Sequence, residues 1–180
     1  MPPFPYRELS EVLGLELAGL QLDDDVGAQF QVIEEQVEKE VFAADLTDPA
    51  APQGIVEHAE EQLGLSIDFL VNNAGQALSQ PFAKTDATLW QQMLNVNLTG
   101  TYHCIQAVLP GMVKRQWGRI INIGGTDAYW GKVRRAHGVS AKLGLVGLTR
   151  AMALEVARFG VTINVVIPGT IDTVRPHPEW

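Results

Sequence analysis

Three short runs rich in β-branched and other apolar residues alternate with long helical patterns: IDFLVNNAG, GRIINIGG and VTINVVIPG. This alternation constrains the chain more than any other feature. Strands that are apolar throughout, each followed by a helix, are characteristic of parallel sheets. Between the first two runs, Asp86 or Thr85 is placed to cap a long helix that includes LWQQMLNVNLTGTYHCIQAVLPGMVKR. Between the second and third, SAKLGLVGLTRAMALEVARF repeats apolar residues at i, i+3 and i+4 and stops at Gly160. VFAAD (Val41 to Asp45) reads as a further strand, followed by a helix with Asp48 as N-cap, Pro49 at its first position and an end at Gly64. The pattern predicts a Rossmann-like α/β fold, a doubly wound parallel sheet with helices on both faces. Ligands of such sheets bind beyond the carboxyl ends of the strands. Those ends are Asp45, Asn72 to Gly75, Gly124 to Asp127 and Pro168 to Thr173.

The first forty residues do not follow the alternation. They have apolar periodicity and an acidic turn at Asp23 to Asp25, but no TGxxxGxG or GxGxxG phosphate loop, and they read as one or two amphipathic helices. The expected organisation is an atypical segment over 1–40 followed by one domain over 41–180. The fold is expected to be incomplete in its N-terminal cofactor half and at its C-terminal end.

Composition excludes several classes of function. A formal net charge of -8 leaves no basic excess to neutralise nucleic-acid phosphates or an anionic membrane. No apolar run approaches the ~20 residues of a membrane span. The start MPPFPYRELSEV is not a secretory signal, so a cytoplasmic setting is expected. The single cysteine, Cys104, lies in an apolar helical pattern and reads as an inert thiol rather than a nucleophile.

The ends of the strands contain the residues suited to chemistry. NNAG (Asn72 to Gly75) offers amides that can bond neighbouring strands and small residues that let a flat ligand approach the backbone. A simple turn is the plainer reading. Taken with DLTD (Asp45 to Asp48), NVNLTG (Asn95 to Gly100), GRIINI, Lys142 with its small neighbours, and PGTIDT (Pro168 to Thr173), it makes the chain resemble the short-chain dehydrogenase/reductases of the 3-oxoacyl-acyl-carrier-protein reductase type. The pieces occur in that family's order.

The resemblance implies an NAD- or NADP-dependent oxidoreductase that moves hydride between a nicotinamide and a small alcohol or ketone. It implies cofactor contacts from Asp45, Leu46, Asn73, Ala74, Gly75, Val96, Lys142, Pro168, Gly169, Ile171 and Thr173. It also implies catalytic roles for Asn97, which would hold a relay water, and Lys142, which would hold the nicotinamide ribose. Where the family has its proton-transferring tyrosine this chain has Gly138, and where it has the substrate-binding serine this chain has Gly125. His137 adjoins the tyrosine position and is a candidate acid/base near neutral pH. One residue of displacement on a helix turns a side chain by about 100°, so His137 reaches the site only where the helix begins.

Plainer roles are available for each. Asn97 could bond within a helix kink, Lys142 could be a surface lysine, and His137 could be exposed or capping. Thr126 has a hydroxyl beside the serine position, and Tyr129 and Trp130 could wall a pocket or simply pack. The two long helices imply a homo-oligomer. Two further readings stay open: a catalytically impaired relative that binds nucleotide or protein, and a truncated product with little activity.

Overall fold

The computed structural model of the chain describes residues 43–169. The reading of residues 1–40 as helices lies outside that range, as do Ile171 and Thr173. Helix α1 (Ala51–Leu63) is followed by strand β1 (Phe69–Asn72). Next come helix α2 (Ala87–Leu94), a π-helical turn (Asn95–Thr99) and helix α3 (Gly100–Arg115). Strand β2 (Gly118–Ile123), the short helix α4 (Asp127–Trp130), helix α5 (Ala136–Val156) and strand β3 (Val161–Val166) complete the order.

The three strands form one parallel sheet in the order β1-β2-β3, with Leu70 opposite Ile120 and Ile120 opposite Ile163. This is a Rossmann-like arrangement. Successive parallel strands laid side by side by right-handed crossovers place both crossover helices on one face. The core lies there: Ile105, Val108 and Met112 of α3, Ile120 of β2, Val156 of α5, and Val161 and Ile163 of β3 are all buried. Burial alternates along β2 and β3, so among the described residues the opposite face is only partly covered, with Thr162 and Asn164 exposed.

Local signals explain most element ends. Asp86 caps α2, its carboxylate accepting from Leu89 N at 2.8 Å. Gly64 ends α1, and Gly160, just before β3, lies left-handed at φ 69. A side chain at Gly160 would collide with the Gln116 carbonyl, so both space and φ require glycine there.

Two local readings are corrected. Residues 43–45 of VFAAD are not a strand; a parallel strand exists only through its ladder, and no described strand neighbours them. The following helix starts at Ala51, not at Pro49, with Pro52 in its first turn. Asp48 does not cap it. Its carboxylate accepts from Ala50 N at 2.9 Å, which folds residues 46–50 into turns and delays the helix.

The long helix expected between β1 and β2 is interrupted by the π-helical turn at Asn95–Thr99. Such single wide turns are rare and often occur at functional sites. This one contains Asn97, which is buried.

Candidate active site

The sheet's carboxyl end opens into a cavity of about 390 Å³. Each strand contributes the segment that follows it: Gln76 to Leu78 after β1, Gly124 to Thr126 after β2, and Pro168 with Gly169 after β3. The π-helical turn adds Asn97, and the start of α5 adds Arg135, His137, Gly138 and Lys142.

A buried polar ladder sets the strands and α5 in register below the cavity. Asn72 Nδ2 donates to Asn122 Oδ1 at 2.8 Å across β1 and β2. Asn122 Nδ2 donates to Thr149 Oγ1 at 2.9 Å, and that hydroxyl donates to Leu145 O at 2.8 Å. The expectation that the NNAG amides bond neighbouring strands holds for Asn72. Asn73, Ala74 and Gly75 are exposed where β1 ends.

Asn97 is fixed from both sides. Its Nδ2 donates to Met93 O at 3.0 Å, and its Oδ1 accepts from Gln76 N at 3.1 Å. It therefore makes the bond within the helix kink and also faces the β1 loop. Lys142 is not a surface lysine. Its Nζ donates to Ile123 O at 2.6 Å, and burial lowers its pKa below the ordinary lysine value. No carboxylate pairs with it among the described residues. Gly75 lies against both groups: a Cβ there would come 2.8 Å from Asn97 Oδ1 and 3.6 Å from Lys142 Nζ.

His137 is neither exposed nor capping. It is fully buried, and neither ring nitrogen has a hydrogen-bond partner. Desolvation, reinforced by the Arg135 charge, lowers its pKa and keeps the imidazole neutral at pH 7. The helix begins at Ala136, so His137 stands in its first turn beside the cavity, with both ring nitrogens closed off from solvent.

Gly125 and Gly138 both line the cavity, and a Cβ built on either meets nothing within 4 Å. The open positions are real space, not gaps filled by neighbours. Thr126 also lines the cavity, whereas Tyr129 and Trp130 do not and are exposed.

The structure gathers Asn97, His137, Lys142, Pro168 and Gly169 around one cavity, with Gly75 beside it. Asp45, Leu46, Asn73, Ala74 and Val96 do not line it. Asp45 is exposed, and its carboxylate accepts from Thr47 N at 2.9 Å and Thr47 Oγ1 at 2.8 Å, which lowers its pKa. Sequence reasoning missed the lining role of Arg135, Lys132 and Gln76. Arg135 had a visible signal, since it lies one turn before the Gly138–Lys142 pair at a helix start.

Cys104 is partly buried, and desolvation raises its pKa to about 11, which suits an inert thiol. Among the described residues, no group of three or more His, Cys, Asp or Glu side chains could hold a metal ion. No described helix is long and apolar enough to cross a membrane.

Comparison with known proteins agrees with this geometry. A family profile described as short chain dehydrogenase matches residues 19–178. The chain is 42% identical over 137 residues to (2S)-[(R)-hydroxy(phenyl)methyl]succinyl-CoA dehydrogenase subunit BbsD of Thauera aromatica, covering 76% of this chain and 53% of that protein. It is 37% identical over 132 residues to the 3-oxoacyl-[acyl-carrier-protein] reductase FabG of Vibrio cholerae, covering 73% of this chain and 54% of that protein. The chain thus spans about half the length of these curated relatives. The solved structure of ElxO with NADP bound superposes with a TM-score of 0.69 at 32% identity, covering 82% of this chain and 58% of that one.

Proposed function

The chain belongs to the short-chain dehydrogenase family, and on that premise we propose that it binds NAD or NADP and interconverts a small alcohol and ketone. One observation supports this reading above the rest: Asn97 and Lys142, from different helices, meet at Gly75 on the rim of a single cavity.

The residues present fit a nicotinamide nucleotide. Lys142 Nζ spends one donor on Ile123 O, leaving two N–H groups for a sugar's hydroxyls. Gly75, without a Cβ, leaves the backbone open to a flat ligand beside that ammonium. Pro168 and Gly169 border the same space. When bound, the nicotinamide supplies hydride to a carbonyl carbon or accepts it from an alcohol carbon.

This chain's own groups would do the rest. Lys142 holds the ribose and contributes positive charge beside the substrate oxygen. Asn97, locked at both ends of its amide, positions a water. His137, neutral and in the first turn of α5, exchanges the proton of the substrate oxygen only after its ring, closed off from solvent in this structure, turns toward the cavity. Thr126 offers a hydroxyl near the open position at Gly125. With no tyrosine at Gly138, turnover is slow, since a positioned acid/base contributes roughly 10²–10⁴ in rate.

Exposed apolar side chains on the two long helices, Tyr102 of α3 and Leu143 and Leu154 of α5, support self-association through those helices. Light scattering that finds only monomer removes that part of the reading. For the nucleotide, purified protein is titrated with NADH and NADPH while nicotinamide fluorescence is followed. Saturable enhancement is expected, and no binding of either at millimolar concentration overturns the reading.

A further inference from the structure

We infer that the substrate of this cavity carries a carboxylate, and that Arg135 is its counter-ion. The inference rests on the cavity being the substrate site.

The charges lining the cavity do not balance. Three cations, Lys132, Arg135 and Lys142, face one carboxylate, Asp127. Lys132 Nζ sits 3.3 Å from Asp127 Oδ2, so these two neutralise each other. Lys142 donates to the neutral Ile123 carbonyl and keeps its charge, with its two remaining N–H groups serving the ribose. Arg135 is the one lining cation whose side chain makes no hydrogen bond or ion pair among the described residues, and it is half-buried. His137 adds no charge, because burial and Arg135 itself keep it neutral. An unpaired, half-desolvated cation is costly unless a ligand supplies the opposite charge.

The root of the side chain is well anchored. Arg135 N donates to Lys132 O at 3.2 Å, and its carbonyl accepts from Val139 N at 2.8 Å, the first bond of α5. Arg134 turns the chain at φ 65, and its carbonyl accepts from Gln80 N at 2.9 Å, tying this corner to the loop after β1. A guanidinium presents a planar fork that matches a carboxylate with two parallel hydrogen bonds. Next to it, Gly138 contributes no bulk, which leaves room for the body of a small oxo acid or hydroxy acid.

The chain's net charge of -8 repels anions at long range, so this local cation works against the overall field. Its effect is therefore expected in affinity rather than in association rate, and as a preference between ligands of one shape.

The test compares 3-oxobutanoate with its uncharged methyl ester by ligand-observed NMR titration of the wild-type chain, Arg135→Gln and Arg135→Lys. NADH fluorescence is measured on the same samples. The acid is expected to bind about tenfold tighter than the ester, as a charge-assisted contact does. Arg135→Gln should equalise the two, and Arg135→Lys should keep part of the preference. If Arg135→Gln does not fold by circular dichroism, loss of the wild-type preference on adding salt is the expected substitute result. Equal binding of acid and ester by the wild type, a preference surviving Arg135→Gln, or no binding of either at millimolar concentration overturns the inference. An acid preference without NADH binding overturns the oxidoreductase reading and upholds the carboxylate subsite. NADH binding without an acid preference overturns the subsite alone.

Discussion

Asn97 and Lys142 share one glycine: a Cβ on Gly75 would lie 2.8 Å from Asn97 Oδ1 and 3.6 Å from Lys142 Nζ. The first distance is shorter than real Cβ contacts allow, and Asn97 cannot swing away without losing its bonds to Met93 O and Gln76 N. Gly75→Ala should therefore cost about 1–3 kcal/mol by overpacking. It should weaken NADH binding about tenfold, because the same methyl crowds Lys142. A thermal melt and a fluorescence titration read the two effects. An unchanged nucleotide affinity would separate Gly75 from the nucleotide site.

The open positions at Gly125 and Gly138 predict a gain of function. Nothing lies within 4 Å of a Cβ at either, so Gly125→Ser with Gly138→Tyr should fold with little loss of stability. Reductase turnover, followed by NADH oxidation with a panel of small ketones, should rise by roughly 10²–10⁴. A folded double variant with unchanged turnover would mean that these positions do not limit the chemistry.

His137 is fully buried with both ring nitrogens unpartnered. A buried polar atom without a partner costs about 1–3 kcal/mol. His137→Met, similar in volume and apolar, should therefore raise stability by about 1 kcal/mol. The wild type should also be sensitive to acid. Its His137 pKa lies below the ordinary value, so as pH falls through about 6.5 the unfolded chain takes up the proton first. Stability present above that pH is then lost progressively as pH drops toward the lowered native value. Melting curves over this range should slope less steeply in His137→Met. Turnover lost in this variant while nucleotide still binds supports the acid/base role; unchanged turnover removes His137 from the chemistry.

The polar ladder predicts the opposite behaviour at Asn122. Its amide serves Asn72 and Thr149 at once and is wholly buried. Asn122→Ala should cost about 2–4 kcal/mol, leaving the buried Asn72 amide unmatched, removing one of the two bonds of the Thr149 hydroxyl and opening a small cavity. Thr149→Val should cost less, since Leu145 O keeps its other surroundings. Chemical denaturation ranks the pair, and equal costs would argue against the ladder.

Much of this was legible in the sequence for a physical reason. Period and β-branched content are local properties, so GRIINI and VTINVV reveal strands, and Asp86 and Gly64 reveal helix ends, without tertiary help. Lys142 and Asn97 were legible through motif order. Residues 43–45 of VFAAD depart from the expected strand because a strand depends on a neighbour that its own residues do not name. The start of α1 departs from the sequence pattern because the Asp48 carboxylate accepts from Ala50 N within a turn, and regular helix begins only at Ala51.

The sequence by itself determined the parallel strand–helix alternation, the family, and the glycines at 125 and 138 on which the proposed loss of hydroxyls rests. Each of these depends on which residue stands where along one strand or helix. Tertiary structure alone decided that Gly75 abuts both Asn97 and Lys142, that His137 is buried without hydrogen-bond partners, and that the Arg135 side chain has no partner among the described residues lining the cavity. Those are relations between groups distant in the chain, fixed only when packing removes water and counter-charges from around them.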